Sequence, residues 1–144
     1  QSVSFSRYEP VYMNIVKDFT DQTFTPKHKR RFTRMADNDI TMRNNADGDS
    51  LLLAAKRLAQ RKESNRILVV LSDGRPSADG FGNESKRLAS VIEQVKKTGI
   101  KMFGIGIMDR SVTRFYDDHA VAEKLSDLPE LVMSKLKHSL LKGA

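Results

Sequence analysis

The chain has 144 residues, 39% of them hydrophobic and 30% charged, with a formal charge of +7 and no cysteine. That length suits one domain with its own core, residues 1–144, and the lack of cysteine excludes disulfides and thiolate metal centres. No apolar run approaches the ~20 residues that span a bilayer, and Gln1-Ser2-Val3-Ser4-Phe5 has neither the basic start nor the apolar stretch of a secretory leader, so a cytoplasmic location is expected.

Val3 and Phe5 alternate with serines in the pattern of a half-buried strand, which Tyr8-Glu9-Pro10 interrupts. Residues 11–19 are ambiguous. A polar, basic excursion over about residues 20–44 carries one expected helix from Pro26 to Met35. In it Lys27, Lys29, Arg30, Arg31 and Arg34 place five positive charges within eight residues; subtracting them from +7 leaves +2 for the rest of the chain. A single interleaved aromatic, Phe32, is too little for a base-stacking platform, so the cluster is read as a solvated or protein-docking face and not as a nucleic-acid site.

From Asp47 the pattern sharpens. Leu51, Leu52, Ala55, Leu58 and Ala59 share one helical face, with Asp49 or Ser50 as the expected cap. Ile67-Leu68-Val69-Val70-Leu71 is an unbroken apolar run, the pattern of a strand buried on both faces, and it stops at Ser72-Asp73-Gly74. A Gly/Pro/Ser-rich loop leads to a second amphipathic helix through Leu88, Val91, Ile92 and Val95, closed by Gly99. The next strand, Ile100 to Ile107, contains Gly104 and Gly106, which predict close approach by a neighbouring helix. Ser111 to Tyr116 reads as a helical turn and His119 to Val121 as a short strand. Asp127-Leu128-Pro129-Glu130 has the form of a capping box before a final helix whose face is Leu131, Val132, the Lys135 stem, Leu136 and Leu140. Strands alternating with helices predict an α/β domain with a mostly parallel, three-layer α/β/α sheet.

Several chemistries are excluded. There is no Gly-x-x-x-x-Gly-Lys-Ser/Thr loop, so the chain is not itself a P-loop ATPase, and no Gly-x-Ser-x-Gly elbow. Gly104-Ile105-Gly106 lacks a third glycine, and His28, His119 and His138 have no metal-ligand spacing. Carboxylates remain. Asp73 ends a strand on the rim where open α/β sheets place ligands, and Asp47 and Asp49 stand just before a helix. Oxygen donors of this kind suit a hard cation such as Mg²⁺; the alternative is that Asp47 and Asp49 only favour the helix start and Asp73 only opens a turn.

The segments Asn45-Ala46-Asp47-Gly48-Asp49-Ser50-Leu51-Leu52, Arg57-Leu58, Arg66 to Pro76, Gly104-Ile105-Gly106-Ile107 and Val112-Thr113-Arg114-Phe115-Tyr116 together resemble the von Willebrand factor A (VWA) domain of CobT-type cobaltochelatase subunits. The resemblance runs from Val3 to the final helix and implies a Rossmann-like VWA fold. Such domains hold Mg²⁺ at a metal-ion-dependent adhesion site (MIDAS) made of Asp-x-Ser-x-Ser, a middle-loop residue and a later Asp. By that resemblance Asp73 matches the third part and Asp47 the second, with Asp49 competing. Asp-x-Ser-x-Ser is absent, and the chain has no initiator methionine. The resemblance therefore implies a chain beginning after the family's first strand and helix, with a weak or split metal site.

The function implied is that of a non-catalytic subunit of a chelatase that inserts Co²⁺ into a corrin-type macrocycle in cobalamin biosynthesis. An AAA+ ATPase subunit and a large chelatase subunit are the implied partners, in a hetero-oligomeric ring. Arg75 and the basic group Lys27, Lys29, Arg30, Arg31 and Arg34 are the expected partner contacts. The alternative is a VWA adaptor that serves a MoxR-like AAA+ ATPase in protein remodelling.

Overall fold

Hydrophobic periodicity becomes a layered sheet in a computed structural model, which describes residues 11, 13–36, 46–76 and 83–141. The described elements are α1 (Pro26–Ala36), α2 (Asp47–Ala59), β1 (Ile67–Ser72), α3 (Asn83–Lys96), β2 (Lys101–Ile107), β3 (His119–Ala122) and α4 (Leu128–Leu141), with single 3₁₀ turns at Ser111–Arg114 and Leu125–Asp127. The strands lie in the order β1-β2-β3, all parallel, with Ile67 opposite Lys101 and Gly104 opposite His119. The expected strand at Val3 and Phe5 lies outside the described residues.

Side-chain alternation assigns the two faces of β2. Met102 packs into a core with Leu68 and Val70 of β1, Leu51 and Ala55 of α2, and Leu88, Val91, Ile92 and Val95 of α3. Phe103 and Ile105 point the other way and are fully buried on the face where α4 lies against β2 and β3. Helices therefore cover both faces of the sheet, the three-layer arrangement expected for parallel strands.

Gly104 and Gly106 sit on the core face, but the neighbours they admit are not a long helix. The Tyr116 ring lies directly on Gly104, and the backbone of Asp109 with the Val112 side chain lies on Gly106. A β-carbon at either position would collide with these groups, so the turn after β2 can fold back over the strand only because both residues lack one.

Four expectations are corrected. The apolar strand β1 is an edge strand among the described residues, partly buried along its length, and Leu71 is 50% exposed. An apolar run is the same whether its strand is central or marginal; pairing decides its burial. Neither Asp49 nor Ser50 caps α2: the helix already starts at Asp47, Ala46 precedes it without a side-chain bond, and both aspartates lie in the first turn. Asp127 closes a 3₁₀ turn and accepts a bond from Ser126 Oγ at 3.1 Å; the capping-box partnership with Glu130 is not formed. Leu140, placed on the buried face of α4, is 52% exposed.

The basic excursion folds on itself. Pro26 opens α1, where its fixed φ and missing N–H cost nothing. His28 is buried, taking the Thr25 N–H on Nδ1 at 2.8 Å and facing Asp21 Oδ2 with Nε2 at 3.1 Å. Because Nδ1 accepts, the ring proton belongs on Nε2 and is donated to Asp21. Arg31 donates to the Val16 and Ile15 carbonyls at 2.8 and 3.1 Å. The segment reaches α2 through Arg57, which donates to Asp18 at 3.0 Å, and through Phe19, whose ring lies under the guanidiniums of Arg57 and Arg61. Among the described residues no helix is long and apolar enough to cross a membrane.

Candidate functional site

Parallel strands direct their C-terminal ends to one edge, and the loops that leave that edge collect the site. Asp73 follows the last residue of β1 and is exposed. Its turn is closed by Ser72 Oγ, which donates to the Gly74 carbonyl at 2.9 Å. Asp47 is the first residue of α2, on the same edge, and is partly buried. Burial, and then the negative charge of Asp73, raise the Asp47 carboxyl above its ordinary value. The fold thus brings Asp47 and Asp73 within electrostatic reach of each other.

Asp49 goes elsewhere. Its Oδ1 accepts from Arg87 Nη2 at 2.7 Å and Nε at 3.1 Å, an ion pair that joins α2 to α3. Gly48 explains the approach: a β-carbon there would stand 2.8 Å from Arg87 Cγ and 3.1 Å from the Leu88 amide nitrogen. The two helices cross where only glycine fits.

Two further residues belong to this edge. Tyr116, buried over Gly104, has its phenol pushed well up by burial and then by the Asp47 charge, so it stays a neutral hydroxyl beside that carboxylate. Asp109 follows β2 and takes the Ser111 N–H at 2.6 Å. Hydrogen bonds from Ser111, side chain and then backbone, hold its carboxyl low, helped by the positive charges of Arg75 and Arg114. Arg75, in the turn after β1, is therefore within electrostatic reach of Asp109 in the turn after β2. The rule that selected Asp73, a carboxylate just past a strand's C-terminal end, also selects Asp109. Nothing in the sequence singled out Tyr116.

Asp47 and Asp73 offer two hard oxygen donors, and a cation between them would relieve the repulsion that raises Asp47. Among the described residues no three His, Cys, Asp or Glu side chains converge to hold a metal ion, and two carboxylates are fewer protein ligands than a closed site would use. The basic group lies apart, on α1: Lys27, Lys29 and Arg30 project outward, whereas Arg31 is spent on the carbonyls that fasten the helix. A cleft of about 440 Å³ opens by the start of β2, lined by Ile100, Lys101 and His138 among others and reached from mid-strand by Tyr116, whose ring lies on Gly104. Its Lys96 pairs with Asp117 at 2.6 Å, and Asp118 pairs with Lys135.

An open parallel sheet with helices on both faces and carboxylates gathered past its strand ends defines a VWA-type α/β domain. The chain belongs to the family of the cobalamin biosynthesis protein CobT VWA domain, whose family model matches residues 1–142. That membership ties it to cobalamin biosynthesis and to the multi-subunit cobaltochelatase. No solved structure matches the chain significantly.

Proposed function

We propose that this domain is a non-catalytic docking module of an ATP-dependent cobaltochelatase, joined to an AAA+ ATPase subunit through a cation held at the C-terminal edge of its sheet. The observation that carries this reading is that Asp47 and Asp73, from separate elements at one sheet edge, lie within electrostatic reach, with Asp47 raised by burial and then by Asp73. Asp73 and Asp47 would hold Mg²⁺; the ion would supply open positions for an oxygen donor of the partner. Arg75, exposed at the same edge and within electrostatic reach of Asp109, would meet a partner carboxylate. Co²⁺ and the corrin-type macrocycle are substrates of the assembly, and hydrolysis of ATP belongs to the AAA+ partner. Family membership favours this reading over a protein-remodelling adaptor.

Calorimetry with Mg²⁺ and Mn²⁺ tests it. The wild-type chain is expected to bind one divalent ion weakly, since two protein carboxylates are fewer than a tight site uses. Asp73→Ala is expected to abolish the signal, and Asp49→Ala to leave it. Absence of divalent-ion binding both by the chain and by its complex with the chelatase partners would sink the metal-bridged reading.

A further inference from the structure

Helix α1 is marked by its charge, and the fold adds an apolar strip beside that charge. Phe24 and Phe32 are 53% and 54% exposed, with ring centroids 6.2 Å apart and inclined by 40°. Phe24 also leans on the buried His28 ring at 5.4 Å, so the Thr25–His28–Asp21 hydrogen bonds fix the base of the strip. Phe19, equally exposed by area, is already covered by Arg57 and Arg61; Phe24 and Phe32 have only each other and His28 among the ring contacts of the described residues.

The same helix carries exposed cations, Lys27 and Lys29 one position to either side of the His28 face and Arg30 behind it. Helix α1 contains no acidic residue, and Lys27, Lys29 and Arg30 make no ion pair among the described residues. Exposed aromatic side chains flanked by cations are the surface complement of a segment that is acidic and also carries apolar side chains. Nucleic acid is disfavoured by the rings themselves. Tilted into one another, they form one continuous strip and do not present separate parallel faces for successive bases.

We propose that Phe32 of α1 and Phe24 just before it, with Lys27 and Lys29 on the two flanks of the helix, form a docking surface for an acidic, apolar-bearing segment of a partner protein. This surface is separate from the Asp47–Asp73 edge, and binding here does not depend on a divalent ion. Apolar anchors set how long the complex lasts, and the cations set how fast it forms and how strongly salt opposes it.

The test uses the full 144-residue chain and fluorescence anisotropy of a synthetic Glu-rich peptide bearing two Leu residues four positions apart, with EDTA present. The peptide is expected to bind, with affinity falling as salt rises. Combining Phe24→Ala with Phe32→Ala is expected to weaken binding about tenfold or more with an unchanged salt slope, while the double Leu substitution at the same positions keeps most of the affinity. Replacing Lys27 and Lys29 by Ser is expected to flatten the salt dependence. Equal binding of an all-Glu peptide without Leu would overturn the proposal, as would full affinity in the double Ala variant with an unchanged far-UV spectrum. Displacement of the peptide by oligo-dT would assign the surface to nucleic acid instead. Self-association of the wild-type chain that the double Ala variant abolishes would assign it to a second copy.

Discussion

Asp47 shows what a partly buried carboxylate costs when it faces another. Its folded-state value is raised above the ordinary 3.8, so the folded chain holds this proton more tightly than the unfolded chain. Stability contributed by the group is therefore lost as pH rises through the window between 3.8 and the raised value, and the penalty persists at neutral pH. Asp47→Asn removes the charge and is expected to raise the thermal midpoint at pH 7 by about 2–4 °C. The gain should vanish below the ordinary value, which melts at pH 3 and pH 7 compare. Divalent ions should stabilise the wild type by mass action and leave Asp47→Asn unmoved. Asp73 was legible in the sequence because a carboxylate that closes an apolar run stands where a parallel sheet presents its ligand edge. Its approach to Asp47 ahead of Asp49 was implied only by the resemblance; spacing alone left the two open. That choice depends on which aspartate of the first helical turn points along the edge, and which points across to Arg87.

At the scale of elements, the glycines of β2 and the arginine before β1 govern how the layers fit. Gly106→Ala drives a methyl group into the Asp109 backbone, which has no room to withdraw beneath the Ser111–Arg114 turn. An overpacking cost of about 3 kcal/mol is expected, read as a shift in denaturant midpoint. Gly99→Ala meets nothing within 4 Å, but φ is +76° there, so its cost is conformational strain of about 1 kcal/mol. Arg66 donates to the Ala59 carbonyl at 3.3 Å and to the Thr98 carbonyl at 3.2 Å, and so ties together the C-terminal ends of α2 and α3. Removing this charged donor from two helix ends in Arg66→Ala should cost about 1–2 kcal/mol by the same measurement. The helices themselves were readable because residues such as Leu88, Val91, Ile92 and Val95 fall on a single face only when the chain is helical. Their caps were less so: short polar residues before a helix satisfy several geometries, and the backbone selects among them.

Across the whole molecule, stability is unevenly spread. The buried side chains of α2 and α3, with Ile100, Val112 and Tyr116, form the continuous core, whereas α1 is held by hydrogen bonds to residues 13–25 and that segment by Arg57 and Arg61. Amide hydrogen exchange is expected to be slowest in β2 and α3 and markedly faster in α1, where opening exposes little apolar surface. Comparable protection of α1 and β2 would mean that the basic segment folds as one unit with the core. The α/β class was legible from alternating periodicities, yet the place of β1 at the edge of the described sheet was not, since neighbours and not composition determine where a strand lies. The joined helices carry one further consequence. Near their starts α2 and α3 interlock through Gly48 and the Asp49–Arg87 pair, and at their far ends Arg66 clamps both. A load applied at Asp47 is thus not dissipated by α2 sliding along α3. A push on α2 at that edge is therefore handed to α3 through Gly48, the Asp49–Arg87 pair and Arg66 together.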